Sequence, residues 1–112
     1  MKPDPVAAEA FSGWESMSPK IERTEMTPGT AQELMEALQD AYENFIHHQP
    51  GFMGAGLHMN DAQTRIANYS QWQRREDFQA MLRTPEMRER NRRIATLCSR
   101  FEPVMYDVEA VF

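Results

Sequence analysis

The chain has 112 residues, 41% of them hydrophobic and 26% charged, with a net charge of −5. That length and balance fit a single globular core and exclude both a two-core chain and a disordered one. The acidic balance argues against nucleic acid, because phosphate binding needs a basic face. The single cysteine, Cys98, permits no intrachain disulfide, and the sequence has neither a signal-peptide core nor a run of about 20 apolar residues to span a membrane. The expectation is a cytoplasmic protein, with no membrane partner, that binds small molecules or other proteins.

Residues 1–12 combine two prolines with small residues and little periodicity, which predicts a flexible N-terminal arm, leaving 13–112 as a single domain. The loose alternation of Ile21 to Met26 predicts a first strand over 20–27. Thr27-Pro28-Gly29 is a turn, and Thr30-Ala31-Gln32-Glu33 has the form of a capping box that opens a helix. Leu34, Leu38, Ala41, Tyr42, Phe45 and Ile46 then fall on one helical stripe, and Pro50-Gly51 ends it. His47 and His48 lie in the last turn, where the helix dipole favours a cation; adjacent helical residues do not face one site.

Phe52 to Met59 reads as a second strand, with Gly54 and Gly56 on one face, where a ligand, a helix or another backbone can approach closely. A polar connection, Asn60-Asp61-Ala62-Gln63, joins it to a third strand, Thr64 to Trp72, as a hairpin. Phe78, Met81 and Leu82 mark a short helix. Thr84-Pro85 then supplies an N-cap and a first-turn proline for another, whose buried side is Met87, Ile94, Leu97 and Cys98, with Phe101 and Pro103 near its end. Val104 to Phe112 alternates as the fourth strand. The order βαββαβ predicts a ferredoxin-like α+β fold: a four-stranded antiparallel sheet with helices on one face. The other face is semi-apolar, and a second copy of the chain is the simplest cover for it.

On the third strand the period of two puts Asn68, Ser70 and Trp72 on one face, about 6.7 Å between alternate residues. An amide beside an indole can orient a planar oxygenated molecule by hydrogen bonding and stacking. Phe78 completes an aromatic wall. His58, on the glycine face near the end of the second strand, has the pKa range of a general base. The late arginines form supportive i, i+4 pairs, Glu86–Arg90 and Glu89–Arg93, while Arg88 or Arg92 can reach a pocket mouth. Cys98 reads as a small core residue.

Gln49-Pro50-Gly51-Phe52, Asn68-Tyr69-Ser70-Gln71-Trp72, Arg75-Glu76-Asp77-Phe78 and Phe101-Glu102-Pro103-Val104-Met105-Tyr106 together resemble the antibiotic biosynthesis monooxygenase (ABM) family of dimeric α+β barrels, over roughly residues 27–112. The resemblance implies a homodimer through the open sheet face. It also implies oxygenation of an electron-rich aromatic (an anthrone, quinol or polyketide-type molecule) by O2 without metal, flavin or haem. By the same resemblance Asn68 and Trp72 hold the substrate oxygen and assist its reaction with O2. The candidate set is thus Asn68, Trp72 and His58 as catalytic, with Phe52, Leu57, Ser70, Phe78, Leu82 and Arg88 as substrate-binding. The competing expectations are a non-catalytic dimeric barrel that binds a small hydrophobic ligand, and a polyketide cyclase or isomerase on the same fold.

Overall fold

In chain order the elements of the computed structural model are β1 (Val6–Ser12), β2 (Lys20–Glu22), β3 (Glu25–Thr27), α1 (Ala31–Asn44), a 3-10 turn (Ile46–His48), β4 (Phe52–Met59), β5 (Arg65–Trp72), α2 (Arg75–Arg83), α3 (Pro85–Ile94) and β6 (Arg100–Tyr106). The structure describes residues 5–12, 20–22, 25–27, 31–110 and 112. The main sheet is antiparallel throughout, in the order β4-β5-β1-β6. With β1, β4, β5 and β6 as its strands and the helices between them, this is the expected ferredoxin-like βαββαβ arrangement.

The first strand is not where the sequence pattern put it. Val6–Ser12, expected as part of a flexible arm, is a central strand paired on both sides, Glu9 opposite Asn68 and opposite Pro103. Its Ala7 and Phe11 are 1% and 2% exposed. Three alanines give this segment little intrinsic strand preference, so two flanking ladders rather than local propensity hold it extended. The expected strand over 20–27 is instead two short strands, β2 and β3, paired only with each other. Trp14, Met17, the Pro28-Gly29 turn and the capping-box Thr30 lie outside the described residues.

The α1 stripe is as expected: Leu34, Leu38, Ala41 and Ile46 are buried, and Tyr42 and Phe45 pack beside them. Gly51 follows with φ +83°, and a Cβ there would collide with the Asp77 carboxylate. Both facts restrict this turn to glycine. In the β4–β5 hairpin the Asn60 carboxamide oxygen accepts from the backbone N–H of Thr64 and Arg65 at 2.9 and 2.8 Å. A β-bulge between Phe52 and Gly54 throws Met53 out to 51% exposure. The extra residue puts Phe52 on the same sheet face as Ala55 and Leu57, opposite Trp72, Ser70 and Asn68 respectively.

Thr84 caps α3, its hydroxyl accepting from Met87 N at 3.2 Å with Pro85 in the first turn. The helix ends at Ile94, so Leu97 and Cys98, expected on its buried side, are buried in the following turn. The last strand begins at Arg100 and ends at Tyr106, earlier at both ends than its alternation suggested. Phe101 stacks on Phe11 at 5.0 Å. Pro103 is tolerated because β6 pairs only with β1, and an edge strand need not donate outward. On the helix face Arg90 binds Asp40 at 2.6 Å and Glu86 at 3.1 Å, tying α1 to α3; Glu89 pairs with Arg92 rather than Arg93. Among the described residues no helix is long and apolar enough to cross a membrane.

The core divides into two apolar clusters along β5. Ile66 belongs to one, with Phe11, Leu34, Leu38, Ile94 and Leu97. Trp72 belongs to the other, with Ala7, Ala41, Ile46, Phe78, Met81 and Met87. Between them β5 turns two polar side chains inward, Asn68 and Ser70, which are 3% and 2% exposed.

Candidate active site

A buried amide is stable only when its donors and acceptor are met. Asn68 meets both requirements with residues from two other elements. Tyr42 Oη of α1 donates to its Oδ1 at 2.6 Å, and its Nδ2 donates to Glu9 Oε1 of β1 at 3.0 Å. Next along the strand, Trp72 Nε1 donates to Ser70 Oγ at 2.9 Å, and the Ser70 hydroxyl also faces the Tyr42 phenol. The result is a polar seam across the helix-facing side of the sheet, enclosed by the two apolar clusters.

Burial sets the protonation of this seam. Removal from water pushes Glu9 up to about 7, against the partial relief of its hydrogen bond from Asn68. The Tyr42 phenol is pushed up to about 12, first by burial and then by the Glu9 charge. Tyr42 is therefore a neutral donor at physiological pH, while Glu9 changes charge close to neutrality.

An open cleft of about 650 Å³ lies between β4 and the α1 end, lined by Tyr42, His47, His48, Phe52 and Leu57 among others. Its volume is within the range of roughly 300–1,000 Å³ typical of small-molecule sites. Both adjacent histidines line it, contrary to the expectation for helical neighbours; they lie past the end of α1, in the 3-10 turn Ile46–His48 at the cleft's edge. The His48 ring also meets the Glu43 carbonyl at 3.2 Å. On the other flank of the seam Glu9, Phe78, Pro103 and Met105 line a small cavity of about 80 Å³.

The sequence-derived candidates divide accordingly. Asn68, Ser70, Trp72, Phe52 and Phe78 do come together: the Trp72 ring sits 5.4 Å from Phe52 and 5.7 Å from Phe78, both edge-on. Leu57 and Phe52 line the cleft, and Leu82 packs on the Trp72 cluster. Trp72 is 0% exposed and does not reach the cleft, so its ring is not free to stack on a ligand there; buried Ser70 bonds to it, and Tyr42 stands between Asn68 and the opening. Arg88 is exposed on α3 and is not among the lining residues. His58 is on the other side of the sheet, exposed, its ring 5.5 Å from Tyr69 and its Nδ1 3.3 Å from the Ala67 carbonyl oxygen. The period of two excludes it from the Asn68 face. Gly56 makes room for that imidazole, whose Cε1 would be 2.9 Å from an added Cβ, while Gly54 faces open space.

Glu9 and the role of Tyr42 escaped the sequence reading. A phenol on an otherwise apolar helical stripe is itself a signal, since a buried hydroxyl needs a partner. Glu9 gave none, lying in a segment without alternation. Among the described residues no three His, Cys, Asp or Glu side chains are grouped as a metal site would require.

A family model described as antibiotic biosynthesis monooxygenase matches residues 21–93. Tetracenomycin-F1 monooxygenase of Streptomyces glaucescens is 34% identical over 62 residues, a match spanning 55% of this chain and 55% of that relative, about half its length. Among solved structures, SnoaB of Streptomyces nogalater, a cofactor-independent oxygenase, superposes with a TM-score of 0.78 at 15% identity, covering 97% of this chain and 96% of that one. The ActVA-Orf6 monooxygenase of Streptomyces coelicolor, solved with nanaomycin D, gives 0.76 at 19% identity, covering 98% and 91%. At such identities the structural likenesses establish a shared fold.

Proposed function

We propose, because the chain belongs to the antibiotic biosynthesis monooxygenase family, that it oxygenates an electron-rich polycyclic aromatic with O2, the substrate itself supplying the electrons. The observation that carries this reading is the Tyr42–Asn68–Glu9 chain running from the wall of an aromatic-lined cleft into the core. The ring system lies in the cleft against Phe52 and Leu57, with an oxygenated edge toward Tyr42. Asn68 acts from behind Tyr42, fixing the phenol, and Trp72 supports the wall through its contacts with Phe52 and Phe78.

The chemistry asks little of the protein beyond binding and exclusion of water. Loss of a ring proton leaves an electron-rich anion that passes an electron to O2; recombination places one oxygen atom on the carbon as a carbonyl, and the other leaves as water. A hydrogen bond from a substrate hydroxyl to Tyr42 enriches the ring and favours that electron transfer. The name of the Streptomyces glaucescens relative supports a polycyclic substrate.

The test is O2 uptake with an anthrone probe and no added metal or flavin, in the parent chain and in Asn68→Ala, Tyr42→Phe and Trp72→Phe. Uptake that falls at least tenfold in the first two supports the reading; unchanged rates in all three remove it. The closed packing around Trp72 favours one alternative, a barrel that binds an aromatic ligand without turning it over, for which tight binding with no product under air is the signature. We also propose that two copies pair through the open sheet face, supported by Tyr69, Val104 and Tyr106 standing there 49%, 47% and 53% exposed.

A further inference from the structure

We propose that Glu9 sets the hydrogen-bond polarity of the cleft through Asn68 and Tyr42, so that the site takes ligands that donate a hydroxyl, such as phenols and hydroquinones, in preference to their carbonyl counterparts. The proposal rests on the preceding reading only for placing an aromatic ligand in the cleft, not for any reaction with O2. Glu9 lies on β1, outside the residues 21–93 that the family model matches.

Donors and acceptors along the seam fix its direction. An ionised carboxylate can only accept, so the Asn68 side chain must turn its NH2 group to Glu9. That leaves the Asn68 carbonyl facing Tyr42, whose single proton is then committed to it. The other end of the seam is equally one-sided: the Trp72 indole can only donate, and it does so to Ser70, which faces the same phenol. The chain therefore runs in one direction, from a donor-only indole to an acceptor-only carboxylate. With one lone pair of the Tyr42 oxygen turned to Ser70, a cleft ligand that reaches that oxygen finds the remaining lone pair and no proton.

Protonation of Glu9 releases the constraint. A neutral carboxyl can donate to the Asn68 carbonyl, the amide can turn over, and the Tyr42 hydroxyl is freed to point outward as a donor. The buried Glu9 carboxyl, pushed up to about 7, changes charge where this matters. Around it α1 supplies Tyr42, β5 the neutral Asn68, β6 Pro103 and Met105, and α2 Phe78. Tyr42 is the one titratable group facing it among the described residues, and it keeps its proton across this range. Glu9 is thus a positioning residue that acts through Asn68.

The experiment measures binding under nitrogen of 1-naphthol, 1,4-naphthoquinone and 1-methoxynaphthalene, which cannot donate, at pH values of about 8 and about 5.5 on either side of the Glu9 titration. The parent chain is expected to prefer naphthol over both others by about tenfold at the higher pH, the worth of one net hydrogen bond, and by severalfold less at the lower. In Glu9→Gln, whose own amide can present either group to Asn68, the preference is expected to collapse and lose its pH dependence. A ligand-free readout stands beside it: the Asn68 side-chain amide NMR signal is expected to titrate near neutrality in the parent chain and not in Glu9→Gln. A preference retained in Glu9→Gln, an Asn68 signal that does not move with pH, or no binding of any probe overturns the proposal. Hydroxyl preference without O2 uptake supports it while removing the oxygenase reading; O2 uptake without the preference does the reverse.

Discussion

Asn68 and Glu9 face each other across neighbouring strands at 3.0 Å, amide nitrogen to carboxylate oxygen, on the helix-facing side of the sheet. Each satisfies the other, and Tyr42 closes the arrangement from α1 at 2.6 Å. Asn68, the buried member, is thus held between two partly buried groups, and its loss removes a partner from each.

Asn68→Ala removes the side-chain acceptor of the Tyr42 phenol and the side-chain donor to the Glu9 carboxyl, both partly buried. The expected cost is roughly 2–3 kcal/mol of stability, because an unsatisfied buried group forfeits its full desolvation penalty. Urea denaturation at neutral pH measures it. A loss below roughly 0.5 kcal/mol, the usual surface value, contradicts the enclosed seam.

Glu9 links stability to pH with a definite sign. Burial raises its folded pKa from 4.5 to about 7, so between those values the folded chain holds a proton that the unfolded chain has lost. The stabilisation is complete below the unfolded pKa and is lost as pH rises through the folded one, by on the order of 3 kcal/mol. Glu9→Gln is expected to flatten this slope and to be more stable than the parent above neutrality. Denaturation midpoints across the window decide it, and parallel curves for the two proteins contradict the assignment.

Gly51→Ala is expected to destabilise by roughly 1–3 kcal/mol, since it forces a side chain into a left-handed backbone and against the Asp77 carboxylate. Combining it with Asp77→Ala relieves the collision but not the φ of +83°. Thermal melts of the single and double variants should therefore show partial recovery; full recovery means that the backbone conformation carries no penalty.

Tyr69→Glu and Val104→Lys place charges on the open sheet face without touching either core cluster. Both are expected to shift the chain from a dimeric to a monomeric mass in sedimentation velocity while circular dichroism stays unchanged. A parent chain already monomeric at high micromolar concentration rules out pairing through this face.

Much of this molecule could be read from periodicity alone. The Leu34 to Ile46 stripe, the β4–β5 hairpin and the Thr84-Pro85 cap are set by neighbours in sequence, where 3.6- and 2-residue repeats and turn chemistry act directly. The shared inward face of Asn68, Ser70 and Trp72 followed from the same period. Tertiary structure decided the rest. It drew the alanine-rich Val6–Ser12 into the sheet centre, because two ladders outweigh weak propensity. It inserted one residue at Met53, which turned Phe52 onto the face of Leu57 when strict alternation would have left it on the face of His58. It also brought Glu9, Tyr42 and Asn68, 59 positions apart at the extremes, into one hydrogen-bonded line. Local patterns record which way a side chain faces, but long-range contacts alone determine what it meets there.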